Sequence, residues 1–125
     1  LTAMSQALVL FAHGARDPAW AEPLRRVQAA IGAARPGTRV ELAFLELMAP
    51  DLPACVARLA GEGVGRIVVL PMFIAQGGHL KRDLPAILST LQGRFPEVEL
   101  QLAGAVGEND RVIAAMAAAA AELLA

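Results

Sequence analysis

The chain reads as a small doubly wound α/β domain of about four parallel strands with helices on both faces. Three observations carry that reading. Apolar runs and helical patterns alternate four times along the 125 residues. Two of the runs, Ala7-Leu-Val-Leu-Phe-Ala12 and Arg66-Ile-Val-Val-Leu-Pro-Met72, are continuous instead of alternating, as expected of strands covered on both faces. The repeated strand–helix–strand order implies right-handed crossovers and a parallel sheet. The favoured strand order is 2-1-3-4, which sets strands one and three side by side where the winding reverses.

The elements follow in turn. Ala7 to Ala12 is the first strand. Pro18 opens a helical stretch to about Ala34, in which Leu24, Val27, Ile31 and Ala34 form one apolar face. Arg35-Pro-Gly37 is a stop and turn. Arg39 to Leu45 is the second strand, and Pro50-Asp-Leu-Pro53 opens the second helix, which ends at Gly61 to Gly65. Arg66 to Met72 is the third strand, with Pro71 marking where its ladder stops. A loop from about Phe73 to Leu80 leads to a third helix from about Lys81 to Gln92, closed by Gly93 and Pro96. Val98 to Ala103 is the fourth strand, and Asn109 or Asp110 caps the last helix. No linker or repeat interrupts this order, so residues 1–125 are expected to form one domain.

Composition narrows the function classes. The formal net charge is −1 with no long run of either sign, which argues against a nucleic-acid partner. Cys55 is the sole cysteine, so the chain has no internal disulfide framework, and it is expected to be a small buried helix residue. No basic stretch precedes Leu8, and the apolar run from Val112 to Ala121 is shorter than the ~20 residues of a membrane span. The expectation is a cytoplasmic protein with no membrane partner.

Only two histidines occur, His13 and His79, and each follows one of the two continuous apolar runs. Open α/β sheets bind ligands outside the carboxyl ends of their strands, at the reversal of strand order. The loops after strands one and three therefore offer two imidazoles to one crevice, and the loop after strand two adds Glu46. Two imidazoles and a carboxylate suit a divalent first-row metal such as cobalt, nickel, iron or zinc. A closed structural zinc site would use four ligands. Three suggest an ion that exchanges or meets a substrate.

Gly77 and Gly78 precede His79. They serve either as a simple loop turn or as a bare stretch of backbone for a bulky flat ligand. Arg16, Lys81 and Arg82 lie near the same loops. They are either a solvated helix start or contacts for an anionic ligand, since cations gain nothing from a helix N-terminus. No phosphate-loop pattern is present.

Three segments together resemble the small CbiX-type sirohydrochlorin chelatases. They are Leu8-Val-Leu-Phe-Ala-His-Gly-Ala-Arg-Asp-Pro18, Glu41-Leu-Ala-Phe-Leu-Glu46 and Pro71-Met-Phe-Ile-Ala-Gln-Gly-Gly-His-Leu-Lys-Arg-Asp83. The resemblance covers nearly the whole chain. It implies a chelatase-like fold and the insertion of a divalent ion into sirohydrochlorin, in cobalamin or sirohaem biosynthesis. The resemblance implies that neither ATP nor an organic cofactor is used. Cobalt is the first expectation, with iron and nickel as the other candidates.

The matching positions for metal binding and proton removal are His13 and His79, with Glu46 beside them. Arg16, Gly77, Gly78, Lys81 and Arg82 would meet the tetrapyrrole. A homodimer is implied, as for the family's short forms. One position departs from the pattern: Ala15 stands where the family usually has a serine. A non-catalytic carrier of metal or tetrapyrrole is the alternative that this departure favours.

Overall fold

The computed structural model describes residues 5–125, so part of the segment before Leu8 that was read for a leader lies outside the described residues. Strand β1, Gln6–Ala12, is buried continuously from Val9 to Ala12. It occupies the middle of the sheet, parallel to β2 (Arg39–Phe44) on one side and to β3 (Arg66–Pro71) on the other. Strand β4, Glu99–Leu102, pairs in parallel with the outer side of β3. The resulting order, β2-β1-β3-β4, is the expected one, with its reversal between β1 and β3.

Alternation along the strands sorts the core. Val9, Phe11, Ile67 and Val69 point to one face. There they pack with Leu52, Val56 and Leu59 of α2 (Leu52–Gly61) and with Leu84, Leu88 and Leu91 of α3 (Gly78–Arg94). These side chains are at most 8% exposed, so this layer supplies most of the apolar burial that drives folding. The other face is covered more thinly. Ala12, Ala21 and Phe44 form a small buried cluster there with Leu24, Leu42, Met48 and Met72 at its edge.

Helices α1 (Glu22–Ala34) and α4 (Asp110–Ala121) bury no residue fully. The apolar stripe read on α1 is thus only partly covered, with Leu24 and Ile31 half-buried and Val27 exposed. The helix is tied to the edge strand by Gln28, whose side-chain amide donates to the Val40 carbonyl at 2.8 Å.

Strand ends differ from the sequence reading by at most a residue each, and two helical stretches differ by more, each for a local reason. The stretch from Pro18 to Ala34 is two elements: a 3-10 turn over Pro18–Ala21, then α1. Asp17 caps the turn by accepting from the Ala19 amide at 2.9 Å. Pro23 has no N–H to donate to the preceding turn, so the α-helix restarts with Pro23 in its first turn, where that donor is not needed. The third helix begins at Gly78 instead of Lys81 and runs through Gly93 to Arg94. Glycine's poor helix propensity hides this start. Yet Gly77 is extended, with φ −69° and ψ 161°, as an N-cap residue is, and its carbonyl accepts from the Lys81 amide at 3.0 Å. No helix among the described residues is long and apolar enough to cross a membrane.

Candidate functional site

The carboxyl ends of the strands are stitched together one step beyond the sheet. The Leu45 amide donates to the Ala12 carbonyl at 2.8 Å and the Glu46 amide to the His13 carbonyl at 3.0 Å, which prolongs the β1–β2 ladder. On the other side, the Met72 amide donates to the Phe11 carbonyl at 2.7 Å. His13 therefore leaves the central strand with its backbone held by the segment that carries Glu46. Gly14, at φ +88°, makes this approach possible, because a Cβ there would lie 1.9 Å from the Glu46 carbonyl oxygen. Leu47 then turns the chain away with a left-handed φ of 66°, a conformation uncommon for leucine, and leaves its side chain exposed.

The His13 side chain is exposed at the rim, and its ring leans on Phe73, with centroids 4.8 Å apart and planes inclined at 47°. Phe73 is a residue of the site to which the sequence reading gave no role. The only hint was an aromatic residue just past the end of the strand that neighbours β1.

His79 was expected in a loop; it is the second residue of α3, exposed in that helix's first turn. The correction follows from the earlier helix start. It leaves His79 beyond the end of β3, the strand next to the one that carries His13. Lys81 and Arg82 fall on the same opening turns and are exposed, as is Arg16 after β1. Among the described residues none of these three cations has an ion-pair partner. By contrast, Arg39 is paired with both Glu41 and Glu62, and Arg58 reaches Glu41 at 3.1 Å. Those carboxylates raise the Arg39 pKa, the Glu62 hydrogen bond most.

Gly77 and Gly78 both have open space where a Cβ would stand. Neither has a positive φ, since only Gly14, Gly37 and Gly63 do among the described residues. Packing within the protein thus makes no demand for glycine at either position.

Among the described residues, no three His, Cys, Asp or Glu side chains converge to hold one ion. His13, Glu46 and His79 are separate donors along one rim, not a preformed cage. Nor do two sizeable cavities coincide with them. A cavity of about 580 Å³ lies between the end of β3, the segment after β4 and the start of α4, lined by Leu70, Ala105, Glu108, Arg111 and Val112. Another, of about 600 Å³, opens at the opposite edge beside Arg35 and Arg66. Neither is lined by any of the candidate residues. His13, Glu46 and His79 are instead exposed at the surface, while Cys55 lies buried in α2 with its thiol pushed up to about 11 by desolvation.

An open parallel α/β sheet wound in this order is the fold of a chelatase-type domain. The CbiX family pattern matches residues 7–123, and the chain belongs to that family. It is 34% identical over 87 residues to the sirohydrochlorin cobaltochelatase of Methanococcus aeolicus, covering 70% of this chain and 61% of the relative. The sirohydrochlorin cobaltochelatase of Methanopyrus kandleri is 37% identical over 82 residues, covering 66% of this chain and 57% of that protein. The matched region thus spans about three fifths of these relatives' length.

Among solved structures, the CbiX protein of Marinobacter aquaeolei VT8 superposes with a TM-score of 0.83 at 31% identity, over 95% of this chain and 97% of that one. SirB of Bacillus subtilis shares the fold at a TM-score of 0.79 and 22% identity, with this chain covering 48% of it.

Proposed function

We propose that this chain inserts a divalent cation into sirohydrochlorin without ATP and without an organic cofactor. Cobalt is the first candidate and iron or nickel the others. The observation that carries the reading is the exposure of His13 at the end of the central strand, its backbone joined to the segment bearing Glu46. The cobaltochelatase names of the relatives support cobalt.

In the insertion, two pyrrole N–H protons leave the macrocycle as the cation takes their place. A neutral imidazole is suited to both parts, as a metal ligand and as a proton acceptor near neutral pH. His13 and His79 share these tasks. Glu46 offsets the ion's charge or passes protons to solvent. The exposed cations Arg16, Lys81 and Arg82 meet the peripheral carboxylates. The bare backbone at Gly77 and Gly78 lets the flat ring come close. Ligands that are not gathered into a cage suit an ion that must be handed on.

The protein works as a homodimer in the cytoplasm. Support for pairing comes from the uncovered apolar side chains of the α1 and α4 face, Val27, Ile113 and Met116 among them. A patch of this kind commonly marks an interface.

The test is the absorbance change of sirohydrochlorin with each divalent ion, with and without the protein. Protein-dependent acceleration with cobalt is expected. Binding of the macrocycle or the ion with no acceleration by any ion would overturn catalysis in favour of the carrier reading, which the missing hydroxyl at Ala15 favours.

A further inference from the structure

We infer that Phe73 is a positioning residue that sets the plane of the His13 imidazole. This rests on the reading of His13 as a ligand or base. Among the described residues, no side-chain hydrogen bond fixes either ring nitrogen of His13. An exposed imidazole without such a bond would turn freely, and both metal transfer and proton removal need a lone pair aimed in one direction. The contact that restrains it is the Phe73 ring, at 4.8 Å and 47°, within the range of favourable aromatic pairs. Ring-on-ring contact restrains orientation yet leaves both nitrogens free, which a hydrogen bond would not.

Phe73 can do this because it is itself anchored on three sides. Its side chain is only 8% exposed. It meets Phe11 of β1 edge-on, with centroids 6.1 Å apart and planes at 76°. Its carbonyl accepts from the Gly107 amide at 2.9 Å. Gly107 lies so close beneath that a Cβ there would fall 2.2 Å from the Ile74 carbonyl oxygen. The segment after β4 thus presses the loop after β3 against the residue that follows β1.

Nuclear magnetic resonance of the resting protein tests this without any substrate. With the two histidines assigned through His13→Asn and His79→Asn, the carbon-bound ring protons of His13 should be displaced by the Phe73 ring current. In Phe73→Leu, and in the unbranched Phe73→Met, they should move to the position typical of a solvated histidine, while those of His79 stay in place. Steady-state kinetics should show kcat reduced about tenfold with KM nearly unchanged, the signature of a misdirected group.

Undisplaced His13 protons in the native protein would overturn the inference even if neither variant folds. So would a native kcat in a variant whose His13 protons have moved. Full activity of His13→Asn would instead strike the proposed role of His13 and leave the contact itself standing, so the two failures are distinguishable.

Discussion

The backbone amide of Glu46 donates to the carbonyl of His13 at 3.0 Å, and this pairing depends on the missing side chain of Gly14. Gly14→Ala would bring a methyl group to 1.9 Å from the Glu46 carbonyl at a φ of +88°. The expected cost is above ~2 kcal/mol of stability, read by denaturant unfolding. Gly78→Ala is the contrast. Nothing lies within 4 Å of its Cβ, and alanine favours a helix by about 1 kcal/mol over glycine. It should hold or raise stability while raising KM for the macrocycle. An unchanged KM would remove Gly78 from the substrate's path.

His13→Ala and His79→Ala should each slow metal insertion at least ~10²-fold, the lower range for loss of general-base help. Both imidazoles are exposed, so melting temperatures should stay near that of the native chain. Near-native turnover in both variants would remove the proposed mechanism.

Charge reversal at the two helix cations, Lys81→Glu with Arg82→Glu, should raise KM several-fold and flatten its dependence on salt. Both side chains are exposed and unpaired among the described residues, so their loss removes no internal ion pair. Titration of the apo protein with sirohydrochlorin at two ionic strengths reads the effect directly.

Cys55 should resist alkylation in the native state at neutral pH, because burial keeps it a thiol, with its pKa pushed from 9.0 to about 11. The raised value also sets a pH dependence. Below pH 9 the folded and unfolded chains both hold the proton, and the contribution to stability is complete. Between 9 and 11 the unfolded chain releases its proton first, so stability falls as pH rises through that window. Cys55→Ala should lose this part of the alkaline slope in denaturation measured from pH 8 to 11.

Ile113→Glu with Met116→Glu should give a folded monomer if α4 forms the dimer contact. Their side chains are 47% and 39% exposed, so the substitutions displace no core atoms. Light scattering with size-exclusion chromatography checks the mass, and circular dichroism checks the fold. A dimer of unchanged stability would move the interface elsewhere.

Much of the architecture was legible because it rests on local physics. Continuous apolar runs identified β1 and β3, and the crossover rule arranged them. Asn109 caps α4 as its side-chain chemistry suggests, accepting from the Arg111 amide at 2.9 Å. Boundaries were legible only where one residue type dominates. The start of α3 was misplaced because Gly77 and Gly78 weaken the helical signal while serving its cap. The apolar stripe of α1 was legible as a pattern, but its exposure was not, since periodicity says nothing of whether a partner covers it.

Taken alone, the amino-acid order determined the sheet, its winding and the strand ends beyond which His13, Glu46 and His79 lie. It could do so because hydrophobic period, turn residues and chirality act over a few neighbours at a time. The tertiary structure decided what touches His13. Phe73 reaches it across sixty residues of chain, and Glu46 holds its carbonyl across the sheet. Those contacts are set by the register of parallel strands and by the close approaches at Gly14 and Gly107, where clearances of a few ångströms leave no trace in sequence periodicity.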